Sequence, residues 1–186
     1  MLVAVHAAAA QEQRTHVAMV RRPVVATPAS GCADVSPWTV RERAAVLIIH
    51  NGSVALIRRD WDGRQYYLFP GGGVDDGETS EEAAVREARE ELGWNVELRG
   101  LVAECEIPGR SVQRYYAATV TDGEFGSGDG VEMSFLADGP DGSHTPVLIP
   151  MEQLLDLDVR PRDLACRLAE QSLTSDAVFV FTESIA

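Results

Sequence analysis

The chain has 186 residues, of which 45% are hydrophobic, as is typical of one globular domain with some additional chain. The formal net charge is −13 at pH 7, which argues against long nucleic acid as a partner, because such binding needs basic side chains that displace counterions. No apolar run approaches the ~20 residues that a membrane-spanning helix needs, so we expect no membrane partner either.

Cysteine usage indicates the cellular compartment. Cys32, Cys105 and Cys166 are odd in number, far apart and without metal-ligand spacing. This pattern predicts reduced structural thiols in a cytoplasmic protein. The apolar stretch Met1–Ala10 has no basic segment before it, so we do not expect a secretory signal.

Residues 1–36 differ in composition from the rest of the chain. They are rich in alanine at the start and in proline, alanine, serine and glycine afterwards. Such a segment buries little apolar area to offset its ordering entropy, so we expect a mobile or poorly structured arm without chemistry. We place the domain at residues 37–175 and a tail or edge strand at 176–186.

Strand patterns begin after the arm. The predicted strands are Ala44–His50, Val54–Arg58 and Tyr66–Phe69. Asn51-Gly52 is a strong signal for a two-residue hairpin, and Asp62-Gly63 marks a second turn. A glycine-rich turn, Pro70–Gly73, is predicted to end the third strand, and its glycines let backbone approach a phosphate or a metal closely.

Candidate substrate contacts lie on these strands. Arg58 and Arg59 precede the glycine turn, and one of them could meet a phosphate; the alternative is that one simply faces solvent. Tyr67 and Phe69 could stack on a base, although aromatic residues near a sheet belong more often to the core.

A helix follows the glycine turn, and its ends are marked by the sequence. Thr79 is the predicted N-cap, and Glu82 completes a capping box with it. Gly93 is the predicted stop.

The predicted helix carries a group of carboxylates on one side. At about 100° per residue, Glu87, Glu90 and Glu91 fall within one arc. The adjoining apolar stripe is Ala84, Val85, Ala88 and Leu92. Like charges at these spacings repel unless a cation lies among them, and clustered carboxylate oxygens suit Mg²⁺ or Mn²⁺. The alternative is a solvated acidic face on an ordinary surface helix.

The remaining chain predicts further strands and two helices. The predicted strands are Val96–Glu106, Val112–Val120, Glu132–Leu136, Val147–Pro150 and, as an edge strand or frayed tail, Val178–Phe181. The loops are a flexible acidic segment, Asp122–Gly130, and Asp138–Pro146. The predicted helices are Met151–Leu157 and Pro161–Leu173, with Leu154, Leu155, Leu164 and Leu168 in the core. Short strands with one central and one late helix predict a layered α/β domain.

The spacing of charged and glycine residues around the first helix resembles a known family signature. Gly72, Glu78, Arg86-Glu87, Glu90-Glu91 and Gly93 fill the fixed positions of the Nudix box, with Ala88 and Trp94 in its two apolar slots. The chain thus resembles the Nudix hydrolases over about residues 40–120, and less closely to about residue 173. The resemblance implies an α/β/α sandwich, with a mixed β-sheet between helices and the Nudix loop-helix-loop.

The resemblance also implies a reaction, namely metal-dependent hydrolysis of a nucleoside diphosphate linked to another moiety by attack of water on phosphorus. It implies that Glu87, Glu90 and Glu91 bind Mg²⁺, for which Mn²⁺ can substitute, and that the Gly72 carbonyl is a further ligand. Glu78 and Arg86 are expected to pair as a structural clamp.

Several assignments remain open from the sequence. The general base could be Glu87 or Glu91, or Glu132 from a later loop, with Glu124 less favoured; for these two later residues a plain solvated carboxylate is the alternative. We favour a small nucleotide substrate, namely a nucleoside triphosphate or a related nucleotide, over ADP-ribose or a nucleotide sugar. A Nudix-like module that senses a nucleotide without cleaving it is another alternative. A homodimer is also left open.

Overall fold

The structure is a computed structural model that describes residues 40–130, 142–171, 173–174 and 176–183. The predicted arm at 1–36 and the predicted strand Glu132–Leu136 lie outside the described residues. Within the described part of the chain, no helix combines the length and apolar character needed to cross a membrane.

The described elements include both strands and helices, as the sequence predicts for an α/β fold. They are β1 (Arg41–Leu47), β2 (Ile49–His50), β3 (Ser53–Trp61), β4 (Arg64–Leu68), β5 (Gly71–Gly73), α1 (Ser80–Leu92), β6 (Trp94–Ile107), β7 (Ser111–Gly123), β8 (Ser143–Pro150), a 3₁₀ helix (Met151–Asp156), β9 (Val159–Arg160), α2 (Arg162–Ala169) and β10 (Phe179–Thr182).

Within the residues that the structure describes, the strands form two sheets of five strands each. The first sheet has the order β10-β6-β7-β1-β5 and is mixed, because β1 is parallel to β7 and antiparallel to β5. In the second sheet, β3 pairs antiparallel with β2, β4 and β8, and β4 pairs parallel with β9. The predicted strand Ala44–His50 is divided at Ile48 between the two sheets. Residues before Ile48 pair with β7, whereas those after it pair with β3.

The two helices cover opposite faces of the first sheet. Alternate residues of a strand point to opposite faces, so Ala44 and Val46 of β1 pack with α1, whereas Ala45 and Leu47 belong to the core with α2. Two further sets complete these cores: Ala83, Ala84, Ala88 and Leu92 of α1, and Leu164, Ala165 and Leu168 of α2. This arrangement confirms the α/β fold with a mixed sheet between helices.

The prediction that Val85 and Leu155 are buried in the core was wrong. Val85 is 37% exposed and Leu155 is 40% exposed. Ala83 takes the place of Val85 in the buried stripe of α1, and Glu91 is buried beside it, so the face that packs on the first sheet is rotated away from Val85.

Some element boundaries also differ from the predictions. The strands β6 and β7 have 14 and 13 residues rather than being short. The glycines at 71–73 do not merely end a strand, because they form β5 and pair with β1. The helix α2 ends at Ala169 rather than Leu173.

Candidate active site

The helix α1 begins and ends where the sequence predicts. The Thr79 hydroxyl accepts a hydrogen bond from the backbone N–H of Glu82, and the Glu82 carboxylate accepts one from the backbone N–H of Thr79. At the other end, Gly93 has φ +76°, a left-handed conformation that glycine adopts without steric cost. One further contact fixes the first turn: the Ser80 and Tyr116 hydroxyls lie 2.7 Å apart, which ties α1 to β7.

Arg86 is the centre of a network on the outer side of α1. Its guanidinium donates to both carboxylate oxygens of Glu78, at 3.0 Å each, and to the Gly73 carbonyl at 2.9 Å. Its Nη1 donates to Glu87 at 2.8 Å and to Glu90 at 3.1 Å. A single side chain therefore joins β5, the following loop and α1.

The hydrogen bonds of this network lower the pKa of Glu78 and raise that of Arg86. The bonds from Arg86 lower the pKa of Glu78 below its ordinary 4.5, and a bond from the backbone N–H of Asp75 acts in the same direction. The same bonds raise the pKa of Arg86. Both groups are thus held in their charged forms.

Gly72 makes room for one of the predicted metal ligands. A Cβ atom on Gly72 would overlap Oε1 of Glu87, well inside the 3.0 Å that real Cβ atoms keep. The Glu87 carboxylate therefore lies directly against the backbone of β5. A side chain at this position would displace the Glu87 carboxylate, so glycine matters here for space rather than for an unusual backbone angle.

Glu91 lies on the buried side of the same helix and is 7% exposed. Its Oε2 accepts a 2.7 Å hydrogen bond from the backbone N–H of Gly71. A Cβ atom on Gly71 would overlap the Ala44 carbonyl, so β5 approaches β1 this closely only because residue 71 is glycine. The short glycine strand brings two glutamates of α1 against backbone.

The donor set fits a hard divalent cation. Glu87, Glu90, Glu91 and the Gly72 carbonyl offer only oxygen atoms, the ligands that Mg²⁺ and Mn²⁺ prefer. Among the residues that the structure describes, no three acidic, histidine or cysteine side chains already converge on one point. Instead, Arg86 Nη1 contacts both Glu87 and Glu90. Binding of a cation would require these carboxylates to reorient, which the partly exposed side chain of Glu90 allows.

A cavity of about 640 Å³ runs along the outer face of α1 and reaches Arg86 and Glu90. Its other lining residues are Glu81, Glu82, Val85, Arg89, Asn95, Leu98 and Asp129. Carboxylates outnumber guanidinium groups in this lining, so the cavity suits the approach of cations to Glu90 better than the binding of a polyphosphate.

The structure does not join the predicted substrate contacts to the glutamates of α1. Arg58 and Arg59 lie on β3 of the second sheet, and Arg58 Nε pairs with Asp60 at 2.9 Å. Tyr67 and Phe69 are buried in the core, where Phe69 packs edge-on against Tyr115. The burial favours the alternative that these two aromatic rings are core residues. Substrate contact by any of the four stays a prediction.

Of the two later candidates for the general base, only Glu124 belongs to the described residues. Glu132 lies outside the described residues. Glu124 is exposed, and its carbonyl accepts hydrogen bonds from the backbone N–H and the hydroxyl of Ser127.

The sequence reasoning missed the role of the loop that contains Glu124. It is tied to the end of α1 by bonds from the backbone N–H of Gly126 to the Leu92 carbonyl and from that of Gly130 to the Glu90 carbonyl, both 2.9 Å. The sequence signal for this close contact is the glycine at every second position, 126, 128 and 130, because residues without a side chain let the loop backbone approach the helix.

Comparison with known proteins identifies the family to which the glycine strand and α1 belong. The family model described as NUDIX domain matches residues 40–164. The chain is 33% identical over 84 residues to an RNA pyrophosphohydrolase of Erythrobacter litoralis, covering 44% of this chain and 51% of that protein. It is 34% identical over 98 residues to a putative 8-oxo-dGTP diphosphatase of Bacillus subtilis, covering 52% and 58%. The chain thus spans about half the length of these curated relatives.

Solved structures share the fold. An ADP-ribose pyrophosphatase from Streptococcus suis superposes with a TM-score of 0.53 at 20% identity, covering 78% of this chain and 100% of that chain. At this identity the similarity concerns the fold alone. Because the family model covers the glycine strand, the capped helix and its carboxylates in one match, the chain belongs to the NUDIX domain family.

Proposed function

We propose that this protein hydrolyses a nucleoside diphosphate linked to another moiety, in a reaction that depends on a divalent metal ion. The observation that carries the proposal is the placement of Glu87 and Glu91 against the glycine strand, with Arg86 joining Glu87 to Glu90. The two curated relatives described above support it, since one is named an RNA pyrophosphohydrolase and the other a putative 8-oxo-dGTP diphosphatase.

The proposed metal ligands are Glu87, Glu90, Glu91 and the Gly72 carbonyl. Mg²⁺ is the expected ion, with Mn²⁺ as a substitute; when bound, it would neutralise phosphate charge and activate water. The pair of Glu78 and Arg86 would act as a clamp that holds the loop before α1 against the helix.

In the proposed reaction, the oxygen of a water molecule forms a bond to phosphorus and the phosphoric anhydride bond breaks. The bridging oxygen leaves with the departing phosphate, and the proton of water passes to a carboxylate. Glu87 and Glu91 are the candidates for this base on α1, and Glu132 is the candidate beyond it.

The favoured substrate is a small nucleotide, namely a nucleoside triphosphate or a related nucleotide. The net charge of −13 disfavours a long RNA strand, although one relative is named an RNA pyrophosphohydrolase. ADP-ribose or a nucleotide sugar is the second candidate, because a structure with the same fold is named an ADP-ribose pyrophosphatase. The cytoplasmic location and a homodimer remain expectations.

A substrate panel tests the proposal. Nucleoside triphosphates, 8-oxo-dGTP, a 5′-triphosphorylated RNA oligonucleotide and ADP-ribose are incubated with Mg²⁺ or Mn²⁺, and phosphate and pyrophosphate release is measured. We expect hydrolysis of a nucleoside triphosphate that stops when the metal is chelated. Tight nucleotide binding without any hydrolysis would support a sensing module instead, and metal-independent turnover would contradict the metal role.

A further inference from the structure

The loop at residues 124–130, here called the C-cap loop, folds against the last turn of α1. The backbone N–H of Gly126 donates to the Leu92 carbonyl, and that of Gly130 donates to the Glu90 carbonyl. The last four carbonyls of an α-helix have no partner within the helix, so the C-cap loop supplies partners for two of them. One of these two belongs to a proposed metal ligand.

Gly128 lies so close to the helix that it leaves no room for a side chain. A Cβ atom on Gly128 would overlap the Glu90 carbonyl oxygen and would lie 2.8 Å from the Glu91 carbonyl carbon. A Cβ atom on Gly130 would lie 3.1 Å from the same Glu90 oxygen, which is tight but less severe. The loop backbone thus lies directly on the peptide units of two glutamates.

The C-cap loop is also anchored on its other side. The ring of Phe125 packs against the buried ring of Trp94, with the ring centres 4.8 Å apart. Trp94 directly follows the Gly93 cap and belongs to the core on the α1 side of the first sheet. The loop therefore cannot shift along the helix without disturbing this aromatic contact.

We infer that Gly128 and Gly130 are positioning residues that set where Glu90 presents its carboxylate to the metal. The inference rests on the proposed function, because it takes Glu90 to be a ligand. The Glu90 backbone is fixed by the C-cap loop, while its carboxylate is held by Arg86. A displacement of the peptide units at 90 and 91 would move two proposed ligands together.

The test compares Gly128→Ala with Gly130→Ala in the full chain. Mn²⁺ binding is titrated by electron paramagnetic resonance, and the Mg²⁺ concentration for half-maximal hydrolysis is measured beside it. We expect Gly128→Ala to raise the Mn²⁺ dissociation constant and the half-maximal Mg²⁺ concentration by about tenfold or more. Gly130→Ala should raise both quantities less. The control is Gly109→Ala in the β6–β7 turn, where a Cβ meets nothing within 4 Å. Alanine at the positive φ of residue 109 should cost some thermal stability. The Mn²⁺ dissociation constant and the half-maximal Mg²⁺ concentration of this variant should match those of the wild type.

The outcomes separate the inference from the proposed function. A folded Gly128→Ala protein with a lower melting temperature but wild-type metal constants would show that the loop is only a helix cap, and would overturn the inference. If Gly128→Ala does not fold, Gly130→Ala carries the test, and unchanged metal constants there overturn the inference too. A wild-type protein that binds no Mn²⁺ would refute the proposed function together with the inference.

Discussion

The backbone N–H of Gly71 donates a 2.7 Å hydrogen bond to the carboxylate of Glu91, which joins β5 to the buried side of α1. Glu91→Gln keeps an oxygen acceptor for this N–H but removes the charge that a metal would need. We expect hydrolysis to fall by about a hundredfold or more, while circular dichroism and the melting temperature stay near wild type.

The control for this variant is Glu97→Gln, which alters an exposed glutamate paired with Arg99 on β6. It should hydrolyse substrate at the wild-type rate. A folded Glu91→Gln protein that also turns over normally would contradict the proposed role of Glu91 in binding metal.

Gly72→Ala tests the close approach of a carboxylate to β5. The new methyl group would overlap the Glu87 carboxylate, so we expect a higher Mg²⁺ requirement and slower hydrolysis. Gly73→Ala is the matched change, because a Cβ there meets nothing within 4 Å and the carbonyl that accepts from Arg86 is kept. Steady-state rates across a Mg²⁺ titration compare the two, and equal losses in both variants would refute the steric explanation.

Arg86→Ala should weaken stability and metal binding together. It leaves Glu78, whose side chain is only 16% exposed, without its main partner, and it removes the bond from α1 to the Gly73 carbonyl. Because the Arg86 side chain is 28% exposed, we expect a loss of about 1–3 kcal/mol in the free energy of unfolding, less than for a fully buried pair. Denaturant melts and a Mg²⁺ titration on the same variant measure both effects.

Arg86→Lys serves as the comparison for that variant. Lysine keeps the charge but cannot make the two parallel bonds to Glu78, so it should recover only part of the stability. If stability and metal affinity stay at wild-type values in Arg86→Ala while turnover falls, Arg86 acts on the substrate phosphate and is not a clamp.

The lowered pKa of Glu78 predicts an acid-dependent loss of stability. A carboxylate whose pKa is lower in the folded state contributes stability above its unfolded pKa, here 4.5, and loses it as the pH falls through the folded value. Wild type should therefore be more stable than Glu78→Gln at neutral pH, and the difference should shrink as the pH falls below 4.5. Thermal melts of both proteins on an acid pH series measure the difference, and a gap that does not depend on pH would contradict the assignment.

Residues 1–36 are predicted to be dispensable for catalysis. The composition change before Pro37 motivates this prediction, and the NUDIX match starts at residue 40. A chain shortened to begin at Pro37 should fold and hydrolyse substrate as the full chain does. A large loss of stability or turnover would show that the segment docks on the domain or completes its site.

The features that could be predicted from the sequence are those determined by neighbours along the chain. The capping box of Thr79 and Glu82, the stop at Gly93 and the hairpin at Asn51-Gly52 depend on residues only a few positions apart. The pairing of Glu78 with Arg86 was implied by the family spacing, and the structure contains it.

The features that could not be predicted depend on contacts between distant residues. Whether Ala83 or Val85 faces the sheet is decided by the packing of α1 against β1, which no helical pattern specifies. The burial of Tyr67 and Phe69 depends on the covering helix α2. The contacts of the C-cap loop with α1 could not be predicted for the same reason, because its hydrogen-bond partners there lie 34 and 40 residues earlier in the chain.

The position of β1 between β5 and β7 has a consequence for folding kinetics. The parallel partner of Arg41–Leu47 is Ser111–Ala117, so this pairing closes a long loop and carries a large entropic cost. The β6 edge gains its outer neighbour only when β10, at Phe179–Thr182, has been synthesised. During synthesis, α1 therefore emerges well before the complete sheet on which it packs. The glutamates proposed to hold the metal reach their final arrangement only when most of the chain is available.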